Sequence, residues 1–136
     1  MNLDFLDANV LIYAYDASSP RKRTVARNLL FESTSRNVVV SPQALAEFSS
    51  VLLHKRRPGV NPLEVLKALR SMAHLQVVSS DGPMVERAVE AHQWYGVHFY
   101  DGMIIAAAER AGCTRILSED LNPDQQYFGV RVQNPF

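Results

Sequence analysis

The stretch Asn2–Asp16, NLDFLDANVLIYAYD, decides the predicted fold of this 136-residue chain. A short apolar run ends at Leu6, directly before Asp7, and a second apolar run begins after Asn9. An apolar run of this length beside a turn signal predicts a buried strand over Asn2–Leu6. In open α/β sheets, ligands bind at the carboxyl ends of the strands. Asp7 therefore has a position at which a carboxylate can take part in chemistry.

The composition indicates one folded domain that covers residues 1–136. Hydrophobic residues make up 47% of the chain and charged residues 21%, which argues against a disordered or fibrous chain. A chain of this length can bury a sizeable core. The formal net charge is zero. A nucleic acid must therefore be held by local basic groups or by metal ions, rather than by overall charge.

Cysteine usage and hydropathy favour the cytoplasm. Cys113 is the only cysteine, so an internal disulfide is excluded and a reducing compartment is favoured. We expect Cys113 to be a small buried residue. The chain does not start with a basic region followed by an apolar stretch, and we expect no signal peptide. Apolar runs such as Met103–Ala108 are far too short to span a membrane.

Strand signals and helix signals alternate along the chain. Apolar runs predict strands at Asn2–Leu6, Asn37–Val40, Leu75–Val78 and Thr114–Leu117, with a short fifth strand at Val130–Val132. Prolines, caps and glycines delimit the predicted helices. These are Pro20–Ser35, Pro42–Arg57, a helix from Pro62, Asp81–Tyr95 and Tyr100–Ala111, and Ala8–Tyr15 is predicted to be a short helix or a turn. The alternation predicts an α/β fold with a mainly parallel sheet that helices cover on both faces.

Two finer expectations concern the middle and the end of the chain. The helix from Pro62 is predicted to bury one apolar face. That face consists of Leu63, Leu66, Leu69 and Met72. The polar stretch Asn122–Tyr127 is predicted to be a loop.

Three acids besides Asp7 have suggestive positions. Glu47 flanks the apolar face of its helix, although an ordinary exposed charge is the alternative. Asp101 falls on the apolar face of its helix, where a carboxylate must be paired, capped or metal-bound. A helix cap also explains Asp101. Asp120 follows the fourth strand much as Asp7 follows the first, and a polar turn is the alternative there.

These acids converge if the first and fourth strands are central neighbours in the sheet. The strand order then reverses between them, and a crevice opens beside Asp7 and Asp120. Several carboxylates in one crevice repel each other unless a divalent cation is present, and all-oxygen ligands suit Mg²⁺ or Mn²⁺. The histidines show no spacing that is typical of zinc ligands. They are His54, His74, His92 and His98.

Four motifs in order resemble those of PIN-domain proteins of the VapC type, the toxins of bacterial toxin–antitoxin pairs. They are FLDANVLIYAYD from Phe5, Ser41–Gln43 with Ala46–Phe48, Tyr100–Ala108, and Ile116–Leu121. The ending Val130–Phe136 is also similar, so the resemblance covers essentially the whole chain. It implies a single three-layer α/β/α PIN-like domain with a central, mainly parallel sheet of four to five strands.

The resemblance also implies a site, a cofactor and partners. Four acids form a metal-binding and catalytic quartet, and two polar residues support it. The quartet is Asp7, Glu47, Asp101 and Asp120. The supporting residues are Asn9 and Ser118. The implied cofactor is Mg²⁺, with Mn²⁺ as a substitute, and the implied activity is endoribonuclease cleavage of RNA. The implied partners are an antitoxin protein and a second copy of the chain.

The expected reaction is metal-assisted hydrolysis of an RNA phosphodiester. One or two Mg²⁺ ions held by the quartet would lower the pKa of a bound water and stabilise charge on the phosphate, so no protein nucleophile is needed. Two basic clusters are candidates for RNA contact, although solvated helix ends explain them equally well. They are Arg21, Lys22 and Arg23, and Lys55, Arg56 and Arg57.

Three other functions compete with this one. A haloacid-dehalogenase-like phosphatase needs an acid two residues after the aspartate at the strand end, and Asn9 cannot serve as that acid. A receiver domain needs a lysine after a late strand, and no lysine is suitable. A catalytically inactive PIN scaffold that binds RNA or protein remains the non-enzymatic alternative, and the intact quartet argues against it.

Overall fold

The computed structural model describes residues 2–32, 37–56 and 59–136, in which strands and helices alternate. The strands are β1 (Asp4–Leu6), β2 (Val38–Val40), β3 (Gln76–Val77), β4 (Arg115–Leu117), β5 (Gln126–Tyr127) and β6 (Val130–Gln133). The helices are α1 (Ala8–Tyr13), α2 (Pro20–Phe31), α3 (Pro42–Ser50), α4 (Pro62–Ser71), α5 (Gly82–Tyr95) and α6 (Phe99–Arg110). A π-helical segment, Val51–Lys55, continues α3.

The sheet has the strand order β3-β2-β1-β4-β6-β5. All neighbours are parallel except β5 and β6, which are antiparallel. β1 pairs with β2 on one side and with β4 on the other, and Leu6 lies opposite Leu117. The chain therefore places β2 and β3 on one side of β1 and then crosses to place β4 on the other side. This confirms the α/β fold with a mostly parallel central sheet, and it creates the predicted switch point between β1 and β4.

Local sequence signals account for most of the element boundaries. The three valines of β2 are all buried, as expected for a central strand covered on both faces. The side chains of Asp7, Ser41, Asn61 and Asp81 accept hydrogen bonds from backbone N–H groups at the starts of α1, α3, α4 and α5. Gly96 ends α5 with a φ of 69°, a conformation that glycine adopts without steric cost.

Two expectations from the sequence are wrong: the loop near the end of the chain, together with the strand count that depends on it, and half of the buried face of α4. The predicted loop Asn122–Tyr127 contains β5, so the sheet has six strands rather than four to five. In α4, Leu63 is 64% exposed and Leu66 is 42% exposed. Met72 is buried as predicted, and Leu69 is partly buried against the core. Val65 and Ala68 are buried in place of Leu63 and Leu66, because α4 turns a neighbouring and less bulky face to the core. The predicted helix ends at Ser35 and Arg57 lie outside the described residues.

The core lies on both faces of the sheet. Phe5 and Leu6 of β1 have no exposed surface, and Cys113, before β4, is also buried. In the part of the chain that the structure describes, no helix has the length and apolar character needed to cross a membrane.

Candidate active site

A cleft of about 320 Å³ opens at the carboxyl ends of β1 and β4. Residues from the end of β1, α1, α3, the π-helical segment, α6 and the segment after β4 form its walls. They are Asp7, Ala8, Asn9, Ile12, Glu47, Ser50, Val51, Lys55, Asp101, Ile104 and Asp120. The structure therefore brings all four acids of the predicted quartet to one cleft, although they are up to 113 positions apart in the printed sequence.

Asp7 lies between β1 and α1, and it is only 6% exposed. Its Oδ1 accepts a hydrogen bond from the backbone N–H of Ala8 at 2.8 Å, so its carboxylate caps α1. Its Oδ2 accepts a hydrogen bond from Ser118 Oγ at 2.8 Å. Each carboxylate oxygen of Asp7 is therefore anchored, one to the helix after β1 and the other to the end of β4.

Burial raises the pKa of Asp7 to about 6. The hydrogen bonds from Ser118 and Ala8 oppose this shift, and the negative charges of Glu47 and Asp120 add to it. Because the pKa of Asp7 is raised overall, the desolvation of its carboxylate outweighs the two hydrogen bonds. A buried carboxyl group with a raised pKa inside a cleft is typical of functional sites.

Asn9 and Ser118 connect the first and last acids of the cleft. The Nδ2 of Asn9 donates to Asp120 Oδ2 at 3.1 Å and to Ser118 Oγ at 3.3 Å. The Oδ1 of Asn9 accepts from the backbone N–H of Glu119 at 3.2 Å. Ser118 Oγ also accepts from the backbone N–H of Asp120 at 3.1 Å. These two polar side chains therefore fix the segment that bears Asp120 against the end of β1.

Glu47 and Asp101 come from opposite walls of the cleft. Glu47 is exposed on α3, and its Oε1 accepts a hydrogen bond from Gln43 Nε2 at 2.8 Å. Asp101 is half-buried in the first turn of α6, whose cap is His98 rather than Asp101. Burial raises the pKa of Asp101, the charge of His98 opposes the shift, and the charge of Asp120 adds to it. A simple capping role therefore does not account for Asp101.

The cleft offers a set of oxygen donors on its walls. Within residues 2–32, 37–56 and 59–136, no three His, Cys, Asp or Glu side chains form a group that could hold an ion as they are placed. The four acids share the cleft but are not drawn together around one point. Carboxylate oxygens are the ligands that Mg²⁺ and Mn²⁺ prefer, so the chemical nature of these donors fits such an ion.

The two predicted basic clusters have different surroundings. Lys55 lies in the wall of the cleft. Lys22 instead forms a salt bridge with Glu119 at 3.0 Å, and Arg21 donates to the backbone carbonyl of Phe136 at 2.7 Å. The remaining members have other positions. Arg23 is exposed on α2, Arg56 is half-buried after the π-helical segment, and Arg57 lies outside the described residues.

Sequence reasoning missed several residues of the site. Ser50 and Val51 line the cleft three and four positions after Glu47, so helical spacing was the signal that could have identified them. Gln43, four positions before Glu47, lies in the second motif but was given no role, and it carries the same signal. The π-helical segment has no clear sequence signal, yet such segments occur frequently at functional sites.

Comparison with known proteins identifies the family. The model described as PIN domain matches residues 5–128. The chain is similar in fold to VapC20 of Mycobacterium tuberculosis, a toxin that cleaves the sarcin–ricin loop, with a TM-score of 0.67 and 20% identity over 86% of this chain and 91% of that one. It is similar to a chain of a toxin–antitoxin complex from Klebsiella pneumoniae, with a TM-score of 0.73 and 16% identity over 98% of both chains.

A third similar structure is DNA-bound VapBC from Salmonella typhimurium, with a TM-score of 0.69 and 19% identity over 100% of both chains. No match to a curated protein reaches significance. At these identities the structural likeness shows a shared fold. The family model, by contrast, spans the chain from β1 to the turn before β6. The chain therefore belongs to the PIN-domain family.

Proposed function

We propose that this chain is a Mg²⁺-dependent endoribonuclease that acts as the toxin of a toxin–antitoxin pair. Its membership of the PIN-domain family and its VapC-like fold support a nuclease of this type. The observation that carries the proposal is the cleft at the β1–β4 switch point, which is lined by Asp7, Glu47, Asp101 and Asp120. The proposed reaction is hydrolysis of an RNA phosphodiester bond.

The four acids are the residues that would hold Mg²⁺ or Mn²⁺. Asp7 is the proposed anchor, because its carboxylate is buried and oriented by Ser118 and Ala8. A cation nearby would offset the cost of keeping Asp7 ionised in this buried position. When bound, Mg²⁺ would supply a water of lowered pKa and positive charge opposite the phosphate.

The other side chains of the cleft would position the acids and the substrate. Asn9 and Ser118 hold the Asp120 segment against Asp7 through the hydrogen bonds described above. Lys55 is the proposed contact for an RNA phosphate, because a cation in the wall would attract the backbone into an otherwise acidic cleft. Glu47 and Asp101 are both candidates for the base that accepts a proton from the attacking water.

The test is RNA cleavage with Mg²⁺, with Mn²⁺ and with EDTA, with the cleaved ends mapped. We expect divalent-cation-dependent cleavage by the wild type. We expect Asp7→Asn to lower the rate of RNA cleavage by roughly 100-fold or more, because one anchored carboxylate ligand of the metal ion is lost. Asp124→Asn is the matched control, because Asp124 is exposed and is not part of the cleft lining. An Asp7→Asn protein that cleaves at the wild-type rate would refute the proposal.

The same experiment separates the enzyme from the scaffold alternative. A scaffold would bind RNA without turnover, and divalent cations would not change that result. Cleavage that persists in EDTA would also contradict the proposed mechanism, since the acids would then have no ion to hold.

The proposed protein partner is an antitoxin, and the proposed assembly is a homodimer. Structures of similar fold include VapBC and FitAB assemblies, which supports a partner of this class. The product of the adjacent reading frame, added in equimolar amount, should suppress the cleavage if it is the antitoxin. Light scattering of the isolated chain measures its oligomeric state, and a monomer would contradict the proposed homodimer.

A further inference from the structure

Gln43 joins the two walls of the acidic cleft. Its Nε2 donates to Glu47 Oε1 at 2.8 Å, one helical turn along α3. The same Nε2 donates to the backbone carbonyl of Tyr100 at 3.1 Å, in the first turn of α6. Tyr100 directly precedes Asp101. One side-chain amide therefore contacts an acid of one wall and the backbone beside an acid of the other.

The orientation of this amide is fixed by chemistry. A carboxylate oxygen and a backbone carbonyl oxygen can only accept hydrogen bonds. Only the NH₂ group of Gln43 can satisfy both partners, since the amide oxygen would face two other acceptors if the group were flipped. Both N–H bonds of Gln43 are then used at the cleft.

No other hydrogen bond of the described residues connects α3 with α6. Glu47 is exposed, and a free glutamate side chain loses rotamer freedom when it is ordered. The bond from Gln43 restrains Glu47 before any ligand arrives. The bond to Tyr100 ties that restraint to the helix that carries Asp101.

We propose that Gln43 is a positioning residue that sets the orientation of Glu47 relative to Asp101, and thereby the affinity of the cleft for a divalent cation. This inference rests on the proposed function, because it assumes that the cleft binds such an ion. Gln43 itself need not touch the ion or the RNA. It acts through Glu47 and through the first turn of α6.

The test is calorimetric titration of the folded, metal-free protein with MnCl₂, followed by cleavage rates across Mn²⁺ concentrations. Gln43→Met keeps the length of the side chain and removes both N–H donors. We expect its Mn²⁺ dissociation constant to rise about 10-fold, the scale typical of lost outer-shell hydrogen bonds to metal ligands. Its cleavage rate should approach the wild-type rate at saturating Mn²⁺, because the four acids remain.

Two further variants make the test specific. Gln43→Asn keeps the amide but is one methylene shorter, so it cannot reach both acceptors and should also weaken Mn²⁺ binding. Gln93→Met is the matched control, because Gln93 is an exposed glutamine on α5 that is not part of the cleft lining. It should leave Mn²⁺ binding unchanged.

The outcomes separate the two proposals. If the wild type binds no Mn²⁺, the proposed metal dependence fails and the role of Gln43 fails with it. If the wild type binds Mn²⁺ and cleaves RNA, but Gln43→Met and Gln43→Asn bind Mn²⁺ equally well, only the positioning role is overturned. A Gln43→Met protein whose rate stays low at saturating Mn²⁺ would also overturn it, since the defect would then not lie in cation affinity.

Discussion

Asp7 contributes to the site at a cost to the stability of the fold. It is buried beside Phe5 and Leu6, and burial raises its pKa from 3.8 to about 6. The folded protein therefore binds this proton more tightly than the unfolded chain does. Lowering the pH from about 6 towards 4 should increase the free energy of unfolding through Asp7, and above about pH 6 that contribution is lost.

Asp7→Asn should therefore stabilise the metal-free protein at neutral pH. The pKa shift corresponds to about 3 kcal/mol, and we expect a measured gain of roughly 1–3 kcal/mol at pH 7.5, because asparagine carries no charge to desolvate. The measurement is urea unfolding of both proteins in EDTA at pH 7.5 and pH 5. The difference between the two proteins should shrink at pH 5. A constant difference at both pH values would contradict the assignment of this titration to Asp7.

At the scale of elements, the contact between α5 and α6 places Asp101. Gly102 follows Asp101, and a Cβ atom added at Gly102 would lie 2.6 Å from the backbone oxygen of Ala88. A backbone atom cannot rotate away, so any side chain here would push α6 off α5. The position of Asp101 in the cleft thus depends on the next residue, Gly102, which has no side chain.

Gly102→Ala should destabilise the protein by about 1–2 kcal/mol. Overpacking of a close contact costs about 1–3 kcal/mol, and the better helix propensity of alanine returns up to about 1 kcal/mol of that. Gly82→Ala is the matched control, because an added Cβ at Gly82 meets nothing within 4 Å. It should be neutral or slightly stabilising. Equal midpoints for both variants in thermal unfolding would show that α6 tolerates the displacement.

The predictability of the elements follows the strength of their local signals. Some signals determine the structure of only a few neighbouring residues, and the elements that they predict are present. Examples are the valines of Val38–Val40, the helix cap Asp81 and the terminating Gly96. β5 was missed because Gln126–Tyr127 is short and largely polar, and it is a strand only through pairing with β6. The turn between β5 and β6 uses Phe128 and Gly129, both with positive φ, without the Asn-Gly or Asp-Gly pair that usually marks such a turn.

The placement of the four acids was predictable where an acid follows a strand and less so where it lies on a helix. Asp7 and Asp120 are placed by the strand order, which the alternation of elements indicated. Glu47 was ambiguous, because helical periodicity gives only the angle of a side chain and not what faces it across a cleft. Gln43 and Tyr100 are in contact although they lie 57 positions apart in the sequence, and no local pattern specifies this contact.

At the scale of the whole molecule, charge balance limits how the proposed RNA substrate can bind. The formal net charge is zero and four acids line the cleft, so phosphate contacts must come from local basic groups rather than from overall charge. Lys22 is already paired with Glu119. Lys55 in the cleft wall is the basic residue best placed to contact a phosphate near the four acids.

Lys55→Glu should weaken RNA binding and reduce the slope of log affinity against log salt by about 1. The matched control is Lys67→Glu, which changes the net charge equally. Lys67 is 70% exposed on α4, pairs with Glu64 and is not part of the acidic cleft. It should leave the slope unchanged. Fluorescence anisotropy with labelled RNA at several salt concentrations, using Asp7→Asn to prevent cleavage, measures both quantities. Equal slopes for the two variants would exclude a phosphate contact by Lys55.

The buried position of Cys113 has a practical consequence for thiol chemistry. Burial raises the pKa of its thiol to about 12, and the nearby charge of Asp4 adds to the shift. The thiolate is the reactive form of cysteine, so the native thiol should resist alkylation and oxidation while the fold is intact. A cysteine introduced at an exposed position can then be labelled selectively, without first replacing the buried Cys113.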